Sequence, residues 1–302
     1  MSSSPPRKFK VIIGVIVGVA LLCSAVVVAY AATRDSGTPK AAASTTTSKK
    51  TPTKTKIPKA TPTTTTPTPT RPPVDCTKEK CVALTFDDGP GPDTPKLLDT
   101  LKAENVPATF LLVGQAVSTY PDTVAREFKE GHSLGVHTWN HPQLTILPDD
   151  KIVSEINSTA DAIKKAAPDA QVTFTRPPYG AFNPRVISVL KSLNHATVIW
   201  DVDTLDWKHR DPNAVLAQVQ QHTKPGSIIL MHDIHPTSVQ AVPEIIKYLR
   251  SQGFTMVTVP ELFGGSLTPG KIYFDQNLGL SNIFCVFILV FLLVVLRNLG
   301  FG

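Results

Sequence analysis

Cysteine is scarce, and what there is excludes a cysteine-built metal module. Four cysteines occur in 302 residues. Only Cys76 and Cys81 lie close together, and no second Cys or His cluster stands beside them, so a zinc-knuckle reading fails. In an exported chain the pair reads as a small-loop disulfide, with two free thiols as the alternative. Large apolar side chains are missing from Thr33–Pro73, where Ile57 is the single exception. That stretch cannot bury enough surface to offset chain entropy, so it is expected to be a disordered Thr/Pro/Lys-rich linker over 33–73. A net positive charge is missing from the folded part. The head and linker together carry more of it than the chain's net +6, which leaves residues 74–270 mildly acidic. A nucleic-acid-binding role is thereby disfavoured, and no feature calls for an obligate protein partner.

Charge of either sign is absent from Val11–Ala32, a run long enough to cross a bilayer. The preceding head, residues 1–10, holds Arg7, Lys8 and Lys10 and no acid, which predicts a cytoplasmic N-terminus and an exported remainder. Residues 11–32 are thus expected to be a transmembrane anchor. Ala29-Tyr30-Ala31 offers a small-x-small cleavage site, so a removable signal peptide is the alternative. The expected location is the cell membrane with an extracellular domain, or secretion after cleavage. The prolines of the linker keep it extended, at about 3 Å per residue, for a reach on the order of 100 Å. A second uncharged run, 280–296, is a candidate second span, with Arg297 on its cytoplasmic side.

From Cys81 onward, strand-like and helix-like segments alternate. Strands are expected at Cys81–Phe86, Ala108–Val113, Ser133–Val136, Val172–Thr175, Ala196–Val202, Ser227–Met231 and Phe254–Val259. Helices are expected at Thr94–Asn105, Asp122–Glu130, Pro148–Ala167, Pro184–Leu193, Pro212–His222 and Val239–Ser251. About seven short apolar strands separated by helices make an α/β fold with a parallel sheet. A closed barrel fits, and an open doubly wound sheet is the alternative. In both, ligands bind beyond the carboxyl ends of the strands.

The polar residues gather at those ends. Asp87-Asp88 follows the first strand, His137-Thr-Trp-Asn-His141 the third, and Arg176-Pro-Pro-Tyr179-Gly180 the fourth. Asp203-Thr-Leu-Asp206-Trp207 and His232 follow later ones. Adjacent acids repel, and burying either costs several kcal/mol unless a cation or hydrogen bonds compensate. A lone Asp-Asp-Gly would be an ordinary solvated turn, and a bare HxxxH two surface histidines. Together at neighbouring strand ends they make a metal site. One carboxylate and two imidazoles leave coordination positions open for water, as catalytic metals require.

These five segments, in this order, resemble the motifs of the polysaccharide deacetylases, the NodB-homology domain of carbohydrate esterase family 4. The resemblance covers about residues 80–262. It implies a distorted (β/α) barrel and a divalent metal held by Asp88, His137 and His141, with zinc the first choice and cobalt or a similar ion the alternative. It further implies that Asp87 is the general base, Arg176 the arginine that holds it, and the Tyr179 backbone N–H an oxyanion donor. By the same resemblance His232 is the general acid, Asp206 its partner, and Trp207 and Leu230 line a slot for the acetyl methyl. His132, His195, His209, His222 and His235 match no motif. The implied substrate is an N-acetylated polysaccharide or oligosaccharide. A domain on a wall-length tether directs the expectation to N-acetylglucosamine of peptidoglycan or to a chitooligosaccharide. Two alternatives stand: an O-deacetylase of acetylated xylan, and a wall-glycan-binding module without catalysis.

Overall fold

The computed structural model describes residues 72–276. The anchor expected at 11–32, the linker up to Arg71 and the apolar segment 280–296 lie outside the described residues. Among the described residues no helix is long and apolar enough to cross a membrane.

Among the described residues, nine parallel strands alternate with helices. The first half runs β1 (Cys81–Asp87), α1 (Thr94–Ala103), β2 (Thr109–Leu112), α2 (Gly114–Thr119), α3 (Pro121–Lys129) and β3 (Ser133–Val136). Next come α4 (Asp149–Ala166), β4 (Phe174–Thr175), α5 (Pro184–Ser192), β5 (Ala196–Val198) and β6 (Val202–Asp203). The chain continues through α6 (Asp206–His209), α7 (Pro212–His222), β7 (Ile228–His232) and α8 (Pro236–Ser251). The last elements among the described residues are β8 (Thr255–Val257), α9 (Val259–Leu262) and β9 (Ile272–Tyr273).

β1 is the axis of the sheet because every one of its residues is buried. Alternation sends Val82, Leu84 and Phe86 into the layer under the helices. Cys81 and Ala83 point the other way, into a second apolar cluster with Phe174, Val198, Val257 and Tyr273. Thr85 and Asp87 continue that inward face toward the carboxyl end. The sheet interior is therefore apolar at one end and polar at the other. Cys76 and Cys81 form a disulfide at the entry to β1.

The strand order is β6-β7-β1-β2-β3-β4-β5-β9, with β8 beside the start of β1. The run Ala196–Val202, expected as one strand, is two. Its first half pairs with β4 and β9, and its second half pairs with β7 at the opposite end of the order. One stretch of chain thus serves both margins of a curled sheet, in keeping with a distorted (β/α) barrel. The switch falls at Ile199–Asp201, where burial becomes partial at Trp200 and Asp201.

Three further differences have local causes. Helix α8 begins at Pro236 rather than Val239, because proline at a helix start has its φ preset and needs no N–H partner. The last long strand stops at Val257, where Thr258 caps α9 through a reciprocal bond with Glu261. β9 lies past residue 270 and pairs with β5, so the folded region continues beyond the 74–270 span. Its two residues are too few to show periodicity.

Candidate active site

The carboxyl ends of β1, β3, β4, β6 and β7 carry the polar clusters. Register fixes their order: Asp87 pairs with His232, Val136 with Thr175, and Asp203 with Leu230. Leaving the sheet at this edge demands sharp turns. Asp88, Thr138, His141, Tyr179 and Leu205 all take left-handed backbone angles, which cost non-glycine residues energy and gather at functional sites.

Asp88, His137 and His141 converge, with one ligand atom from each lying within 4.8 Å of the others. Asp88 Oδ1 is 3.5 Å from His137 Nε2 and 3.4 Å from His141 Nε2. That oxygen is buried and has no hydrogen-bond partner. His137 Nδ1–H donates to the Arg176 carbonyl at 2.7 Å, which leaves the Nε2 lone pair free to face Asp88. Burial pushes His137 down to about 3, so its imidazole is neutral. An orphaned carboxylate oxygen facing two imidazole nitrogens fits a divalent cation.

Asp87 lies beside this set, its Oδ2 3.6 Å from His137 Nε2. Its other oxygen accepts from Arg176 Nη1 at 2.6 Å. Burial raises the Asp87 carboxyl, while Arg176 and His232 draw it back. Arg176 is wholly buried. It also donates to Thr85 Oγ1, to the Ile199 carbonyl and, at 3.4 Å, to the Val198 carbonyl. A buried guanidinium is tolerable because its donors are matched.

Across the cleft, His232 Nδ1–H donates to Asp206 Oδ1 at 2.8 Å. Asp206 Oδ2 accepts from the His232 backbone N–H and from Ser238 Oγ–H. Burial opposes charge on His232. The bond to Asp206 and the charges of Asp206, Asp87 and Asp88 outweigh it and lift His232 to about 9. Burial also works to raise Asp206, but His232 and Ser238 hold it below its ordinary range.

Tyr179 follows Pro177-Pro178, which have no N–H to give. The turn's other bonds run from Gly180 and Ala181 to the Pro177 and Pro178 carbonyls. The Tyr179 ring is exposed and stands edge-on to His141, with centroids 4.7 Å apart. Trp207 is half exposed, and Leu230 is buried on the inward face of β7 that also carries His232. His235, outside every motif, has its ring centroid 5.6 Å from that of His232. His132 and His195 are buried, bonding the Ala108 N–H and Thr175 Oγ1.

Sequence reading missed the supports. Thr85 and Ser238 are unremarkable in sequence. Glu155, on α4, accepts the Trp139 and Asn140 backbone N–H groups at 2.7 and 3.2 Å and so holds the loop between the two histidines. Gly114 is required there, because a β-carbon would overlap the Trp139 ring. A Glu155→Ala chain should lose about 1–3 kcal/mol of stability, since two amides lose their acceptor. It should also bind cobalt more weakly; thermal denaturation and metal titration check both.

Comparison with known proteins agrees with this geometry. The sequence pattern of the Polysaccharide deacetylase family matches residues 74–198. Peptidoglycan-N-acetylglucosamine deacetylase PgdA of Listeria monocytogenes is 42% identical over 199 residues, which cover 66% of this chain and 42% of that protein. Peptidoglycan-N-acetylmuramic acid deacetylase PdaC of Bacillus subtilis is 43% identical over 185 residues, covering 61% of this chain and 39% of that protein. The chain thus spans about two fifths of the length of both curated relatives. The solved structure "T48 deacetylase with substrate" superposes with a TM-score of 0.63 at 47% identity, over 66% of this chain and 99% of that one. The chain belongs to the polysaccharide deacetylase family.

Proposed function

We propose that this protein is a metal-dependent hydrolase that removes acetyl groups from N-acetylated polysaccharide, with the amino sugars of peptidoglycan as first substrate. The observation that carries the reading is the orphaned Asp88 Oδ1 facing two imidazoles, with a base and an acid on either side of it. The names of the two curated relatives, one for N-acetylglucosamine and one for N-acetylmuramic acid, support the substrate class. The basic head, uncharged run and proline-rich linker support placing the domain outside a membrane, within reach of wall glycan.

Asp88, His137 and His141 would hold the cation, zinc or a similar divalent ion, which when bound supplies Lewis-acid polarisation of a water and of the acetyl carbonyl. Asp87 Oδ2 takes the proton of the attacking water, and Arg176 keeps that carboxylate oriented. The water oxygen bonds to the carbonyl carbon. The Tyr179 N–H donates to the oxygen that gains charge. The carbon–nitrogen bond then breaks, His232 Nε2–H gives its proton to the departing nitrogen, and acetate and a free amine remain. Trp207 and Leu230 would pack on the methyl group.

Acetate release should be measured in parallel on peptidoglycan, chitooligosaccharides and acetyl-xylan. Chelation should abolish release and metal add-back restore it, while Asp88→Ala should lose both release and metal binding. Release from acetyl-xylan alone would assign an O-deacetylase. Glycan binding without release from any substrate would leave only a binding module.

A further inference from the structure

One buried carboxylate beneath this site has no part in the chemistry above. Asp233 directly follows His232 and is fully buried. A carboxyl group there is costly unless it holds something in place. Its two oxygens press on Gly89, where a β-carbon would overlap both of them. Thr94 Oγ1–H, at the start of α1, donates to Asp233 Oδ2. The same hydroxyl oxygen accepts the Gly91 N–H at 2.7 Å. From the other side the Val113 N–H donates to the Gly89 carbonyl at 3.1 Å. A β-carbon on Gly91 would stand 3.2 Å from Ile234 Cγ2, so the residue after Asp233 packs on the far end of the same turn. The Gly89–Gly91 turn is held on every side, and Asp233 is the carboxyl group in the grip.

The register explains why this matters. Asp87 and His232 are partners in β1 and β7, so Asp88 and Asp233 leave the sheet side by side. Asp88 turns there in a left-handed conformation, φ 72°, that only its surroundings can maintain. A shift of the Gly89 backbone would carry Asp88 Oδ1 away from the two imidazoles.

We propose that Asp233 is a positioning residue that braces the Gly89–Gly91 turn, setting Asp88 against His137 and His141 and keeping Asp87 opposite His232. This rests on the reading of Asp88 as a metal ligand. Asp233 is tied covalently to His232 and by contact to the Gly89–Gly91 turn that follows Asp88, so one carboxyl group sets the spacing between the two halves of the site.

The test uses the full chain carrying Asp233→Ala, Asp233→Asn or Thr94→Val, titrated with cobalt(II) and followed by visible absorption and calorimetry. The kcat, KM and melting midpoint are measured alongside. Asp233→Ala is expected to weaken cobalt binding about 10- to 100-fold, the usual cost of losing a group that orients a ligand. Asp233→Asn fills the same space, keeps an oxygen for Thr94 and should stay near wild type. Thr94→Val keeps the shape without the bond and should fall between them. A lower melting midpoint with unchanged cobalt affinity in Asp233→Ala would show a role in general stability only and overturn the proposal. If that variant does not fold, unchanged affinity in Thr94→Val overturns it equally. A wild-type chain that binds cobalt but releases no acetate would sink the catalytic reading while leaving the affinity comparison intact. A wild-type chain that binds no cobalt overturns the proposal together with the metal reading.

Discussion

An Asp87→Asn chain should release acetate about 100- to 10,000-fold more slowly than wild type, the range expected for loss of a general base. It should still fold and still bind metal. Folding survives because Arg176 does not depend on Asp87 alone. Thr85 Oγ1 and the Ile199 carbonyl remain as acceptors, and the asparagine oxygen can take the Nη1 donor that Asp87 takes now. Metal binding survives because the convergent set is Asp88, His137 and His141, with Asp87 outside it. What disappears is the acceptor at Asp87 Oδ2, since an amide cannot take up the water's proton at working pH. Stopped-time acetate assays and cobalt titration on the same preparation separate the two effects. Wild-type acetate release from Asp87→Asn would remove Asp87 as the base, and loss of cobalt binding would make it a ligand.

The second large effect concerns His232. In the metal-free chain its imidazole should titrate near 9, because the Asp206, Asp87 and Asp88 carboxylates outweigh the burial that opposes its charge. As the proposed general acid it must be protonated to act, so activity depending on it is present below that value and lost as the pH rises through it. Asp206→Asn removes the nearest opposing charge and leaves burial as the dominant influence. The midpoint should then fall below the ordinary 6.5 of a histidine. By about pH 8 the protonated fraction, and with it the rate, should drop at least roughly thirtyfold. Proton NMR of the ring gives the midpoint, and a pH–rate profile gives the consequence. A His232 midpoint unmoved by Asp206→Asn would show that Asp206 serves only to hold the strand end, through the His232 N–H and Ser238 bonds.

Both predictions concern residues whose chemistry is written into short sequence motifs. Asp87-Asp88 and His137-x-x-x-His141 announce themselves because few residue types bind cations, and because they stand where apolar runs stop. The apolar runs also gave the helix and strand order, since buried parallel strands need little more than continuous hydrophobicity. Sequence alone determined which polar groups stand at the strand ends and the order in which they follow, and it raised the Cys76–Cys81 pairing that the structure shows. It also set out a basic head, an uncharged run and a proline-rich linker ahead of the domain.

Tertiary structure decided how those groups are held. Thr85 supports Arg176 from 91 positions away, and Ser238 reaches Asp206 across 32. Neither residue has a local pattern, because its role exists only after the strands are in register. Glu155 and Asp233 are the same kind of residue: acids that accept from another segment, Glu155 from the Trp139 and Asn140 N–H groups and Asp233 from the Thr94 hydroxyl. The change of neighbours inside Ala196–Asp203 was equally hidden, since hydrophobic pattern does not name the partner strand. Ligand chemistry is a property of single side chains and can be read one residue at a time. Their positioning depends on contacts between distant segments, which only the folded chain contains.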